Sequence, residues 1–155
     1  MKYNENNGWL GQYEVITTYK DGSFTKEKIN NRIMNVGLNF LRDGLSGAVT
    51  DLELKYLALG TSSTANSDTM TTLVAEGFRT VFTSQVNGGT GELVSTAIVL
   101  DSEAIFNIQE VGVFAGATAT GTVNTGVLIS RILYSRNKTN LESIQFVRTD
   151  TIGRA

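Results

Sequence analysis

Few residues in this chain could do chemistry. The carboxylates Asp101, Glu103 and Glu110 lie close together in sequence, and two carboxylates flanking a sugar ring are the machinery of glycosidases. Nothing in their spacing separates such a pair from a solvated bend between strands. Asp101 with Glu103, or Asp68 with Ser67, offers the oxygen ligands that calcium takes, but no Asp-x-Asp-x-Asp-Gly loop accompanies either. Two Gly-rich segments, GTSST at residues 60–64 and GATATG at 116–121, match neither a phosphate-binding loop nor a dinucleotide fingerprint. They read as mobile surface loops. The chain has no His and no Cys. That removes the usual general base, the thiolate nucleophile, and His- or Cys-ligated metal. No catalytic residue, cofactor or metal ligand is assigned, and the chain reads as non-enzymatic.

Charge gives no strong pointer to a partner. Thirteen basic residues against fifteen acidic ones leave a net charge of −2, and no block of Lys or Arg offers a nucleic-acid footprint. No apolar run approaches the roughly 20 residues that span a bilayer as a helix. The N-terminal stretch MKYNENNGWLGQ lacks the apolar centre of a signal peptide. Neither nucleic acid nor membrane is therefore expected as a partner. At 155 residues one domain can bury about 70% of its unfolded surface without disulfides.

The elements that must position these residues are mainly strands. The organising stretch is residues 105–134. Two runs rich in Val, Ile and aromatics, 108–114 and 127–134, flank an uncharged loop at 115–126. They read as paired strands joined by a long exposed loop that can touch a neighbour. Residues 12–19 alternate cleanly, with Tyr13, Val15, Thr17 and Tyr19 on one face. Asp21-Gly22 then predicts a type I′ turn and a return strand over 23–29. Further strands are expected at 52–59, 78–86, 93–100 and 141–152. The last carries Ile144, Phe146 and Arg148 on one face. A helix is expected over 31–45, capped by Asn30 or Asn31, with its apolar stripe on the sheet. A short helical turn is expected at 73–76. The sum is an antiparallel β-sandwich of about eight strands with one helix packed on it, α+β in the broad sense.

Two groups of residues stand out as candidates. The hairpin over residues 1–29 is thinly apolar and reads as an arm apart from a body over 30–155. Trp9, Tyr13, Tyr19 and Phe24 are its candidate subunit-interface residues, since aromatics in a polar segment need covering. Tyr3 belongs to the same arm. Glu110 and Arg131 fall within neighbouring strands, and a cross-strand ion pair between them would satisfy two charges that are costly to bury alone.

Four stretches together carry a family likeness: NRIMNVGLNFLRDGL, LKYLALGTSSTANSDTMTTLVAEGFR, IQEVGVFAG and GVLISRILYSRNKTNLESIQFVRTDTI. In order and spacing they resemble small structural proteins of tailed-phage virions. Those show a helix, a strand ending ALGTGT, a Thr/Asn-rich loop to an L..E..R element, an I.EVGLF strand and a final strand pair. The likeness covers roughly residues 30–152, leaving the N-terminal hairpin outside it. It implies a tail, baseplate or fibre-attachment subunit, synthesised in a host cytoplasm and assembled into the virion. Head decoration, or a head fibre, is the alternative location, and a host glycan-binding module the second alternative. The implied partners are other virion proteins and copies of itself, as a symmetric homo-oligomer of three or more chains.

Overall fold

The computed structural model describes residues 8–153. Its elements are β1 (Trp9–Tyr19), β2 (Phe24–Asn30), α1 (Asn35–Leu45), β3 (Leu54–Gly60), β4 (Glu76–Val81), β5 (Ser84–Asn87), β6 (Glu92–Val99), β7 (Asn107–Ala115), β8 (Val127–Asn137) and β9 (Glu142–Ile152). The strands form two antiparallel sheets, one of five in the order β2-β1-β9-β6-β5 and one of four in the order β4-β3-β7-β8. One apolar core draws on both: Tyr13 and Val15 of β1, Ile144 and Phe146 of β9, Leu57 and Leu59 of β3, Val111 and Val113 of β7. The expected mainly-β sandwich with a single helix is thus the architecture, with nine strands among the described residues. Phe146 sits edge-on to Tyr13 and Tyr134, at centroid distances of 6.4 and 5.9 Å. Each such pair adds about 0.5–1.5 kcal/mol beyond its buried area.

The run IQEVGVF does not alternate because β7 is buried on both faces. Val111 and Val113 enter the core between the sheets. Phe114 points the other way, into a second cluster with Met34, Ala58, Leu73, Ala119 and Leu128. That cluster lies under residues 61–75 and 116–126, which fold over the outer face of the four-stranded sheet. The free edge of β8 is closed as well. Ile33 bridges to Ser130, and the Met34 amide donates to the Ile129 carbonyl at 2.8 Å. Helix α1 then packs on β8 and sends Phe40 into the core. Covering an edge in this way removes a template for unwanted pairing.

Several sequence expectations need correction. The hairpin is not an arm beside the body. β1 lies between β2 and β9 and pairs with β9 along its full length, from Trp9 opposite Ile152 to Tyr19 opposite Glu142. Tyr13 and Val15 are buried by that placement, so a boundary at residue 29 divides one sheet. Residues 1–7, with Tyr3, lie outside the described residues. The single strand expected over 78–86 is two strands in different sheets. The chain crosses between sheets at Phe82 and Thr83, whose amides donate to Lys55 of one sheet and Thr96 of the other. No Gly or other turn residue marks the crossing.

The helix begins at Asn35 rather than Asn31, because residues 31–34 are held extended. The Asn31 amide donates to Gly11 and that of Met34 to Ile129, and Met34 is the N-cap, with no side-chain cap bond. No helical turn forms at 73–76, where the amides are drawn to a carboxylate described below. The β1–β2 turn has three residues instead of two. Only Gly22 takes positive φ, +86°, and its amide donates to the Tyr19 carbonyl at 2.9 Å. This is a type I turn closed by a left-handed glycine.

Candidate interaction surface

Three strand-borne arginines organise the polar interior. Arg131 of β8 and Glu110 of β7 are both fully buried and meet at 2.7 Å, Nε donating to the carboxylate. The cross-strand pair expected from sequence is therefore present. It also does more than neutralise two charges. The Glu110 carboxylate accepts the backbone N–H groups of Val74 and Ala75 at 3.1 and 2.7 Å. Arg131 donates to the Thr64 carbonyl at 2.9 Å and to Asn66 Oδ1 at 3.2 Å. Asn66 Nδ2 in turn donates to the Arg131 carbonyl at 2.6 Å. One ion pair thus pins both limbs of the 61–75 loop to the sheet.

A second pair pins the other loop. Arg79 and Glu76, on β4, meet in a two-point pair at 2.5 and 2.9 Å, with side chains 3% and 0% exposed. Arg79 lies over the Phe114 ring at 4.5 Å, an arrangement that favours the cation. It donates to the carbonyls of Thr120 and Thr125 at 2.8 and 3.1 Å, while Glu76 accepts the Asn124 amide at 2.8 Å. The uncharged 115–126 loop, expected to stand out from the body, is folded down and held. Both Gly-rich segments are therefore parts of clamped loops.

The third arginine works between the sheets. Arg148 of β9 is fully buried and makes a two-point pair with Asp150 at 2.7 and 2.6 Å. It also donates to the Tyr13 hydroxyl at 3.1 Å and to Ser130 Oγ. Trp9 Nε1 donates to Asp150 at 2.7 Å. This network ends at an apolar cleft of about 490 Å³ lined by Trp9, Phe40, Leu41, Leu52, Leu93 and Ile152. Asp150 and Glu92 also line the cleft, and both are engaged, by Arg148 and by the Gly89 amide.

Of the four candidate interface aromatics, Tyr13 is enclosed in its own core and is unavailable to a neighbour. Trp9 is half-buried against Asp150. Tyr19 is half-buried beneath the Arg136 guanidinium and accepts its hydrogen bond at 3.0 Å. Phe24 alone presents its ring outward, at 60% exposed. The others are taken up within the body, Tyr13 by the core, Trp9 by Asp150 and Tyr19 by Arg136 of β8.

The three carboxylates considered for sugar chemistry do not share a cleft. Asp101 is exposed and lies 3.9 Å from Lys20, Glu103 accepts the Leu100 amide at 2.9 Å, and Glu110 is committed as above. Asp68 forms a two-point pair with Arg32, which holds its carboxyl below the usual carboxylate range. Among the described residues, no group of three acidic, His or Cys side chains is gathered as a metal site requires. Lys138 is a buried cation missed in sequence. Its Nζ donates to the carbonyls of Asp101 and Thr139 at 3.2 and 3.3 Å, and burial lowers its pKa. The Arg148–Asp150 pair was half-legible, since both residues continue the Ile144, Phe146 alternation. The Glu76–Arg79 pair carried no comparable signal. No protein-family model, curated protein or solved structure matches this chain.

Proposed function

We propose that this chain is a non-enzymatic structural subunit of a tailed-phage particle, acting in the tail, baseplate or fibre-attachment region through contacts with copies of itself and with other virion proteins. The observation that carries the reading is how the buried charges are used. Glu110–Arg131 and Glu76–Arg79 each hold a long surface loop against the sheet. The body is therefore a fixed shape with fixed loops, which suits repetition on a symmetric particle. The family likeness over residues 30–152 supports the same reading and supplies the phage setting.

The test is composition of purified particles. Phage made by cells carrying this gene are banded on a density gradient, and peptides of the chain are quantified against the major capsid protein. A fixed stoichiometric ratio is expected. Gold-labelled antibody on separated heads and tails then locates it, with label on tails expected. Label confined to heads replaces the tail reading with decoration, and absence of the chain from banded particles overturns the structural role.

A further inference from the structure

The apolar cleft has no part in clamping the loops. It lies where the sandwich is open, among the start of β1, the end of β9 and helix α1. It runs from solvent into the core. Leu52 and Ile152 at its mouth are 39% and 52% exposed, while Phe40 and Leu54 on its floor are buried. Trp9 and Leu93 form walls and pack on the same core. Its volume of about 490 Å³ falls within the roughly 300–1,000 Å³ of small-molecule sites. The shape is held in advance. Trp9 Nε1 donates to Asp150 at 2.7 Å, and the buried Arg148 grips Asp150 at two points. The indole wall is thus set by the protein itself, which spares a ligand the cost of ordering it.

We propose that this cleft binds an uncharged apolar small molecule, seated against Trp9 and Phe40. The proposal goes beyond the virion-subunit reading and does not rest on it. The polar groups of the lining select the ligand. Asp150 is neutralised by Arg148, and its oxygens accept three hydrogen bonds. Glu92 accepts the Gly89 amide at 2.9 Å. Among the described residues the lining holds no Lys or Arg. An anionic ligand would therefore meet Glu92 and no counter-charge, and an unpaired charge is costly to bury. A cation would gain only Glu92, a carboxylate already holding an amide, against the cost of leaving water. An uncharged apolar body meets neither cost. Water in such a space has few partners, and an apolar group that displaces it gains by doing so.

The test is titration of the full chain with N-phenylnaphthylamine, an uncharged dye that brightens in apolar surroundings. Trp9 is the chain's single Trp, so dye held in the cleft should quench its emission, and the two signals should saturate together. The anionic analogue, anilinonaphthalene sulfonate, should bind about tenfold more weakly, and Glu92→Gln should narrow that gap. Ile152→Glu and Leu52→Glu place a charge at the mouth and should weaken uptake of the uncharged dye by about tenfold. Both side chains are exposed, so cooperative melting should be retained. Leu133→Glu, on the other sheet, should leave uptake unchanged. Absence of Trp9 quenching in the parent overturns the proposal. Equal binding of the two dyes overturns the choice of an uncharged ligand. Uptake that survives both mouth variants overturns this cleft as the site. Uptake that appears only in Tyr3→Ser gives the cleft to the chain's own N-terminal residues, and overturns the proposal as well.

Discussion

Glu110 and Arg131 show how one ion pair can serve as a structural device. Each is fully buried, and an isolated buried charge is far costlier than a satisfied pair. Replacing Arg131 with Met leaves the Glu110 carboxylate with only the Val74 and Ala75 amides among the partners described. The expected loss is about 3–5 kcal/mol in chemical denaturation. Removing both partners, as Glu110→Leu with Arg131→Met, should cost clearly less than the sum of the single losses. Strict additivity in that cycle would show that the two side chains do not act together. Tyr134 gives a pH-dependent counterpart. Burial pushes its hydroxyl up to about 12, while an unfolded tyrosine titrates near 10. Between those values the unfolded chain has released the proton and the folded chain still holds it. The stability tied to that proton is complete below about 10 and lost by about 12, at up to about 1.4 kcal/mol per pH unit. Denaturation at stepped pH should show this fall in the parent and a shallower one in Tyr134→Phe. Equal slopes would refute the assignment.

At the scale of elements, helix α1 is held by its approach to β8. Gly37 makes that approach possible: a Cβ there would stand 2.8 Å from the Ile129 carbonyl oxygen, which is backbone and cannot turn aside. Within an exposed helix, Gly to Ala gains about 1 kcal/mol. Here the sign should reverse, with Gly37→Ala lowering the melting temperature. A variant more stable than the parent would show that the helix can lift from β8 without cost. The helix start and the β4–β5 break teach the same lesson. Asn31 is a good cap by residue type, yet its amide is taken by Gly11 and the chain stays extended to Met34. Residues 78–86 read as one strand by residue type, yet β4 and β5 belong to two sheets. Local pattern supplied the strands and left their partners undecided.

For the molecule as a whole, the chain's early and late segments meet in the five-stranded sheet. β1 pairs with β9 over eleven opposed residues, and β9 carries β6 and β5 beyond it. The hairpin is therefore expected to be required for folding. Deleting residues 9–30 removes Tyr13 and Val15 from the core and exposes one side of β9. The truncated chain should lose its cooperative unfolding transition and its β-type circular dichroism. A deletion that keeps a cooperative transition would restore the view of a dispensable arm.

The sequence by itself determined the fold class, the β1–β2 hairpin, the existence of one helix and the Glu110–Arg131 pair. Each rests on alternation, spacing or charge cost within short or adjacent segments, where side-chain period and residue type are nearly sufficient. Only the tertiary structure decided which face of which sheet is covered, that Tyr13 is core rather than contact, and that both long loops are clamped. These depend on pairings between distant segments: β1 with β9, residues 74 and 75 with Glu110, and Arg79 with the 120–125 turn. Such pairings are selected by the packing of the whole sandwich, and no local pattern encodes them.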